Sequence, residues 1–224
     1  MLVFVSKLPY MIASDSKGCR AGLEICVKDV RICFIGDSFV NGTGDPACLG
    51  WTGRVCAVAI SQGHEVTYYN LGIRRQTSLE IARRWRSEVE ARLPHGCDGR
   101  LVFSFGVNDT VLENERPRLD SQESLRHARE MLRAACELCP TLMVGPPPMP
   151  DDEQNQRIAS LSEQFALLCQ ELAIPYLDVF TPLLQVAQWR EEALANDGAH
   201  PRAAGYSALA HLVQDWPTWQ SWFA

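Results

Sequence analysis

Short uninterrupted apolar runs alternate along this chain with longer segments whose apolar residues recur at spacings of three and four. Residues 30–35, 65–70, 101–105, 141–144 and 175–179 read as strands, the first of them rich in branched and aromatic side chains. Between them lie helical faces. Residues 51–60 form one. Ala82, Trp85, Val89 and Leu93 mark a second, and Leu125, Ala128, Leu132, Ala135 and Leu138 a third. Ile158, Leu161, Phe165, Leu168 and Leu172 form a fourth stripe. Thr181 reads as an N-cap followed by Pro182 in a first helical turn. A last helix, from about residue 202 to 216, carries Tyr206, Leu209, Val213 and Trp216 inward. Strands that are apolar on both faces and alternate with helices imply an α/β fold with a parallel sheet covered on both sides. Ligands in such sheets bind beyond the carboxyl ends of the strands, so chemistry is expected just after them.

The 224 residues, 46% hydrophobic and 21% charged, suit one soluble domain with a sizeable core. Residues 1–28 show no clear periodicity and read as an irregular arm or tail before a single domain at 29–224. The formal net charge of -6 disfavours nucleic acid or an anionic membrane as partner. The basic run at 83–86 is interrupted by Trp85, lies among glutamates, and reads as a solvated helix face. No apolar stretch approaches the roughly 20 residues of a membrane span. Residues 1–13 lack the basic start and cleavage site of a signal peptide. Nine cysteines, an odd number scattered through apolar patterns, suit free thiols in a reducing compartment, hence the cytoplasm. Cys136 and Cys139 close a helix before Pro140 and have no second pair, which fits neither a redox motif nor a zinc site. The histidines at 64, 95, 127, 200 and 211 form no ligand cluster, so no metal is expected. Gly42-Thr43-Gly44 lacks a third glycine and runs into Asp45-Pro46, so no dinucleotide is expected either.

Four places after strands carry chemistry. Gly36-Asp37-Ser38-Phe39 follows the first strand; the glycine permits a sharp turn that opens the serine toward a pocket, or the serine simply caps a helix. Asn70-Leu71-Gly72-Ile73 follows the second, where a glycine N–H can approach a ligand or merely turn the chain. Gly106-Val107-Asn108-Asp109 follows the third; the Asn108 amide stays neutral at any pH and suits a developing oxyanion, or it closes an Asx-turn. Near the C-terminus, Asp197 and His200 are spaced to meet on one side of a tight turn, where the carboxylate would fix one imidazole tautomer. The bland alternative there is a polar loop before the last helix.

These four blocks, in this order, strongly resemble the GDSL/SGNH hydrolase family over about residues 30–215. The resemblance implies a three-layer α/β/α, flavodoxin-like fold with a five-stranded parallel sheet in the order 2-1-3-4-5. It implies a triad of Ser38, Asp197 and His200. The oxyanion hole would comprise the N–H groups of Ser38 and Gly72 and the Asn108 side chain. Asp37 and Asp109 would shape turns. Two departures stand out. The common leucine after the serine is Phe39, and the second block reads Arg74-Arg75-Gln76-Thr77-Ser78 where members often have Gly-Asp-Thr-Ser. No G-x-S-x-G elbow is present, and Asp and His are neighbours, which separates the chain from the α/β-hydrolases.

The expected activity is therefore esterase or lipase chemistry on a small-molecule ester, through an acyl-enzyme and without a cofactor. Acyl transfer to a sugar or lipid alcohol at the same site, a catalytically silent ligand-binding member and a flavin-binding domain of the same topology are the alternatives. The pocket is expected to draw on Thr43, Trp51, Arg74, Arg75, Thr110, Val111 and residues 146–150, with the two arginines hinting at an anionic substrate group. Oligomeric state is left open by the sequence.

Overall fold

The computed structural model describes residues 29–224; the arm expected at 1–28 lies outside the described residues. Three strands come first: β1 (Val30–Gly36), β2 (Val66–Gly72) and β3 (Asp98–Ser104). A short antiparallel hairpin of β4 (Leu112–Glu113) and β5 (Arg116–Pro117) follows, then β6 (Thr141–Val144) and β7 (Tyr176–Leu177). The main sheet is parallel, in the order β2-β1-β3-β6-β7. With the hairpin set aside, this is the expected 2-1-3-4-5.

The helices are α1 (Ser38–Asn41), α2 (Gly50–Ser61), α3 (Ser78–Glu90), α4 (Ser121–Cys136), α5 (Asp152–Glu171), α6 (Phe180–Leu183), α7 (Ala187–Ala195), α8 (Ala203–Gln214) and α9 (Pro217–Gln220). Successive side chains of a strand face opposite sides, and here each side has its own core. Val30, Ile32 and Phe34 of β1, Val102 of β3 and Leu142 of β6 face one way, against Val55 of α2 and Leu209 and Val213 of α8. Cys33, Ile35, Leu101, Phe103 and Met143 face the other, against Ile81 and Trp85 of α3, Met131 and Leu132 of α4 and Phe165 of α5. The result is a three-layer α/β/α sandwich.

Polar residues fix where helices begin. Asp120 accepts the N–H of Glu123 at the start of α4, and Asp151 those of Glu153 and Gln154 at the start of α5. Thr77 and Glu80 form a capping box on α3. The structure departs from the sequence reading at 178–184. Phe180 is already helical and Val179 is the N-cap residue, while the Asp178 carboxylate just before it accepts the N–H groups of Phe180 (2.9 Å) and Thr181 (3.3 Å). Thr181 is therefore not the N-cap. The last helix also stops earlier, at Gln214, and α9 turns back so that Trp219 reaches the sheet.

No helix among the described residues is long and apolar enough to cross a membrane. The seven described cysteines are free thiols. At the centre of one core, Phe34 meets Trp51 edge-on at 5.5 Å and Tyr68 at 5.6 Å, with Trp219 at 6.2 Å. Phe34 is fully buried, so Phe34→Ala removes transfer energy and leaves a cavity together. Urea unfolding should show it less stable by about 3–5 kcal/mol; a loss below about 1 kcal/mol would mean this cluster is not a packed centre.

Candidate active site

Gly36 ends β1. A Cβ there would lie 2.0 Å from the Ser104 carbonyl oxygen and 2.4 Å from Val40. The glycine thus also serves close approach of backbone, beside the sharp turn that the sequence suggested. The Asp37 side chain accepts the Phe39 N–H at 2.9 Å and caps α1, whose first residue is Ser38. Gly42, at φ 80°, closes this single turn, and the N–H groups of Gly42 and Thr43 both donate to the Ser38 carbonyl.

Ser38 Oγ lies 2.7 Å from His200 Nε2, across 162 positions of sequence. His200 comes from the loop between α7 and α8. There Asp197 Oδ1 accepts the N–H groups of Ala199 (3.1 Å) and His200 (2.8 Å), and Gly198 takes φ 82°. Asp197 Oδ2 then lies 2.8 Å from His200 Nδ1. An ionised carboxylate only accepts, so Nδ1 carries the proton and Nε2 is left to accept the Ser38 O–H. Burial pushes the Asp197 carboxyl upward, but the N–H and ring of His200 and the Ala199 N–H outweigh it and hold it below the usual range. Phe39 packs 5.0 Å from the His200 ring and stacks at 6.0 Å on Trp189, whose indole N–H donates to the Pro148 carbonyl. The aromatic replacement at position 39 therefore backs the imidazole.

The donors expected around an oxyanion differ in how free they are. The Ser38 N–H has no acceptor among the described residues. Asn108 Nδ2 lies 3.2 Å from Asp37 Oδ2 and 3.1 Å from the Gln76 carbonyl. The Gly72 N–H donates to Asn70 Oδ1 at 2.9 Å. Gly72 also has a packing reason to be glycine, since a Cβ would lie 2.2 Å from the Asn41 nitrogen of α1. Asp109 Oδ1 accepts the Ser78 N–H at 2.8 Å, at the positive end of α3.

The expected pocket residues divide. Arg74 Nη2 stands 3.8 Å from Asp197 Oδ2. Arg75 is exposed and left-handed, at φ 65°. Thr43 is half-buried, with its carbonyl held by the Tyr206 hydroxyl at 2.8 Å. Val111 is half-buried at the end of the same turn as Asn108. Thr110 and Trp51 are buried. The Thr110 hydroxyl donates to the Val107 carbonyl and accepts from Gln154, so it is scaffolding. Asn70, Gln76, Trp189 and Arg84 were not singled out from the sequence. Arg84, read as part of a solvated face, instead donates to the Gly36 carbonyl (2.9 Å), Gln76 Oε1 (2.5 Å) and Glu88 (2.7 Å). Its side chain is 14% exposed. Nothing in the local pattern separates it from Arg83 or Arg86; only the crossing of α3 over the end of β1 does. No three of His, Cys, Asp and Glu converge as metal ligands among the described residues.

The model of the GDSL-like lipase/acylhydrolase family matches residues 34–208. The chain belongs to this family. Membership makes it a hydrolase of ester substrates. Solved structures with the same fold include the lipase/acylhydrolase of Enterococcus faecalis (24% identity, TM-score 0.63, covering 82% of this chain and 93% of that one). The acetylxylan esterase Axe2 of Geobacillus stearothermophilus is another (18%, TM-score 0.68, 83% and 92%). A third is LAE5, an α/β hydrolase from the Lake Arreo metagenome (18%, TM-score 0.68, 83% and 94%). No curated protein matches the sequence.

One family block holds an unusual acid. Burial pushes the Asp37 carboxyl up to about 7; nearby Asp109 adds to this, while the Phe39 N–H and the Asn108 amide oppose it. The folded chain then holds a proton that the unfolded chain releases, from about pH 4 to about pH 7. This carboxyl therefore takes stability away as pH rises through that window. Carboxyl-carbon NMR should show Asp37 titrating near 7 and Asp197 below the ordinary range. An Asp37 midpoint near 4 would show that water reaches it.

Proposed function

We propose that the protein hydrolyses carboxylic esters through an acyl-enzyme on Ser38. The observation that carries this is the pair of hydrogen bonds, 2.7 and 2.8 Å, that joins Ser38 Oγ to His200 and His200 to Asp197. A serine hydroxyl is a poor nucleophile until a base takes its proton, and an oriented imidazole is that base. In the first half-reaction Ser38 Oγ attacks the ester carbonyl and its proton passes to His200 Nε2. Asp197 stabilises the imidazolium. The tetrahedral intermediate collapses, and His200 gives the proton to the leaving alcohol. In the second, His200 takes a proton from water, which attacks the acyl-enzyme. The acid leaves and Ser38 regains its proton.

The negative charge that forms on the carbonyl oxygen is assigned first to the Ser38 N–H. Both hydrogens of Asn108 Nδ2 are engaged, by Asp37 Oδ2 and the Gln76 carbonyl, and the Gly72 N–H by Asn70 Oδ1. Each of these two donors therefore contributes by turning from its present partner to the oxyanion.

Ser38→Ala should lose essentially all turnover of 4-nitrophenyl esters graded by acyl length, and a fluorophosphonate probe should label the unaltered chain and not this variant. Full turnover in Ser38→Ala, or failure of the active protein to label, defeats the proposal. Asn108→Ala should lower kcat about 100- to 1,000-fold, the size measured for one oxyanion donor. A loss of less than fivefold would take Asn108 out of that role.

A further inference from the structure

We infer that Arg74, with Arg75, forms an anion subsite beside Ser38 and His200, so that the preferred ester carries a carboxylate or phosphate group. The inference rests on the ester-hydrolase reading of the same site.

Arg74 Nη2 lies 3.8 Å from the same Asp197 oxygen that pairs with the His200 ring. The guanidinium is thus one carboxylate away from the imidazole that faces Ser38. It makes no hydrogen bond there, and its side chain is 60% exposed. An ion pair this open adds too little stability to account for Arg74 as a fold element. Arg54, Arg84 and Arg118 behave differently, since their guanidinium groups are hydrogen-bonded to Asp45, Gly36 and Arg75 respectively. The N–H fork of Arg74 stays open for a planar, bidentate partner, and carboxylate and phosphate oxygens match that fork.

The backbone beneath it is strained and held. Arg75 takes φ 65°, a backbone conformation unfavourable for a residue with a side chain. Its carbonyl is fixed by Arg118 at 2.6 Å, and Arg118 is anchored in turn by Glu80 and Glu113. On the other side Asn108 and Arg84 hold Gln76. A loop clamped at both ends therefore presents Arg74, whose ionic neighbour among the described residues is Asp197, with exposed Arg75 next to it. The one carboxylate beside Arg74 among the described residues, Asp197, is already occupied by the N–H groups of Ala199 and His200 and by the His200 ring. With a formal net charge of -6, the molecule as a whole repels an anion, so a local cationic pair decides whether an anionic ester is admitted.

The anion can belong to the acyl part or to the alcohol, and two matched pairs of esters separate these. Mono-4-nitrophenyl adipate is compared with 4-nitrophenyl hexanoate, and 4-acetoxybenzoate with its methyl ester. For at least one pair, kcat/KM should favour the anionic member. Arg74→Gln should lower that anionic-to-neutral ratio by about tenfold, the worth of one charge-assisted contact, and added salt should erode it. Arg75→Gly adopts the left-handed backbone without strain and keeps the loop's path, and it should lower the ratio by a smaller factor. Arg86→Gln, an exposed arginine paired with Glu90 on α3, should leave the ratio where it was. A ratio at or below one in both pairs overturns the subsite, as does a ratio unmoved by Arg74→Gln, provided neutral esters turn over and Ser38 labels. If neutral esters are inert and Ser38 does not label, the hydrolase reading itself has failed.

Discussion

Gly36 sits level with Gly72 on one side and with Ser104 on the other, and neither glycine has room for a side chain. This register is the constraint on which the site depends. It brings the ends of β2, β1 and β3 to one height, so the loops after them start from a common edge. With no Cβ on Gly72, the backbone of α1 can cross the end of β2 and set Ser38 above the sheet. The Ser104 carbonyl fills the space beside Gly36. A methyl group at either position would push apart the elements that carry the hydroxyl and the Asn108 amide.

Three aspartates near this edge take different parts because their surroundings differ. Asp197 is partly open and rich in N–H partners, so it keeps its charge and orients His200. Asp37 and Asp109 are buried, and burial pushes both upward. They act as braces. Asp37 ties the turn of Ser38 to Asn108, and Asp109 ties the next turn to the start of α3. Their cost is electrostatic, and it is borne because each receives a backbone N–H at a helix terminus.

The layers of the fold were legible because periods of two and of three to four are local. Val30 to Ile35 alternates between two cores, and of the stripe on α5, Leu161, Phe165 and Leu168 lie in the core shared with α3 and α4, while Ile158 joins the opposite one. The pairing of Asp197 with His200 was legible for the same reason, since a three-residue turn contains both. What escaped reading depends on distant partners. Whether Gly36 and Gly72 turn the chain or admit another backbone is decided by Ser104 and Asn41. Arg84 looks like its neighbours until α3 crosses β1. The hairpin of β4 and β5 has no period at all, and Asn114 and Glu115 turn it with positive φ. α6 begins at Phe180, ahead of Thr181, where the Asp178 carboxylate reaches two N–H groups at once.

The hydroxyl and the ring that face each other come from opposite ends of the described chain, one on the first helical turn and the other just before α8. A contact spanning so much sequence carries the entropy of closing the loop between its partners. A molecule whose central strands have assembled but whose last helix is still undocked carries Ser38 with no base beside it. On the proposed mechanism, reactivity at that serine then belongs to the docked fold, and a partly folded chain is chemically quiet toward the esters around it.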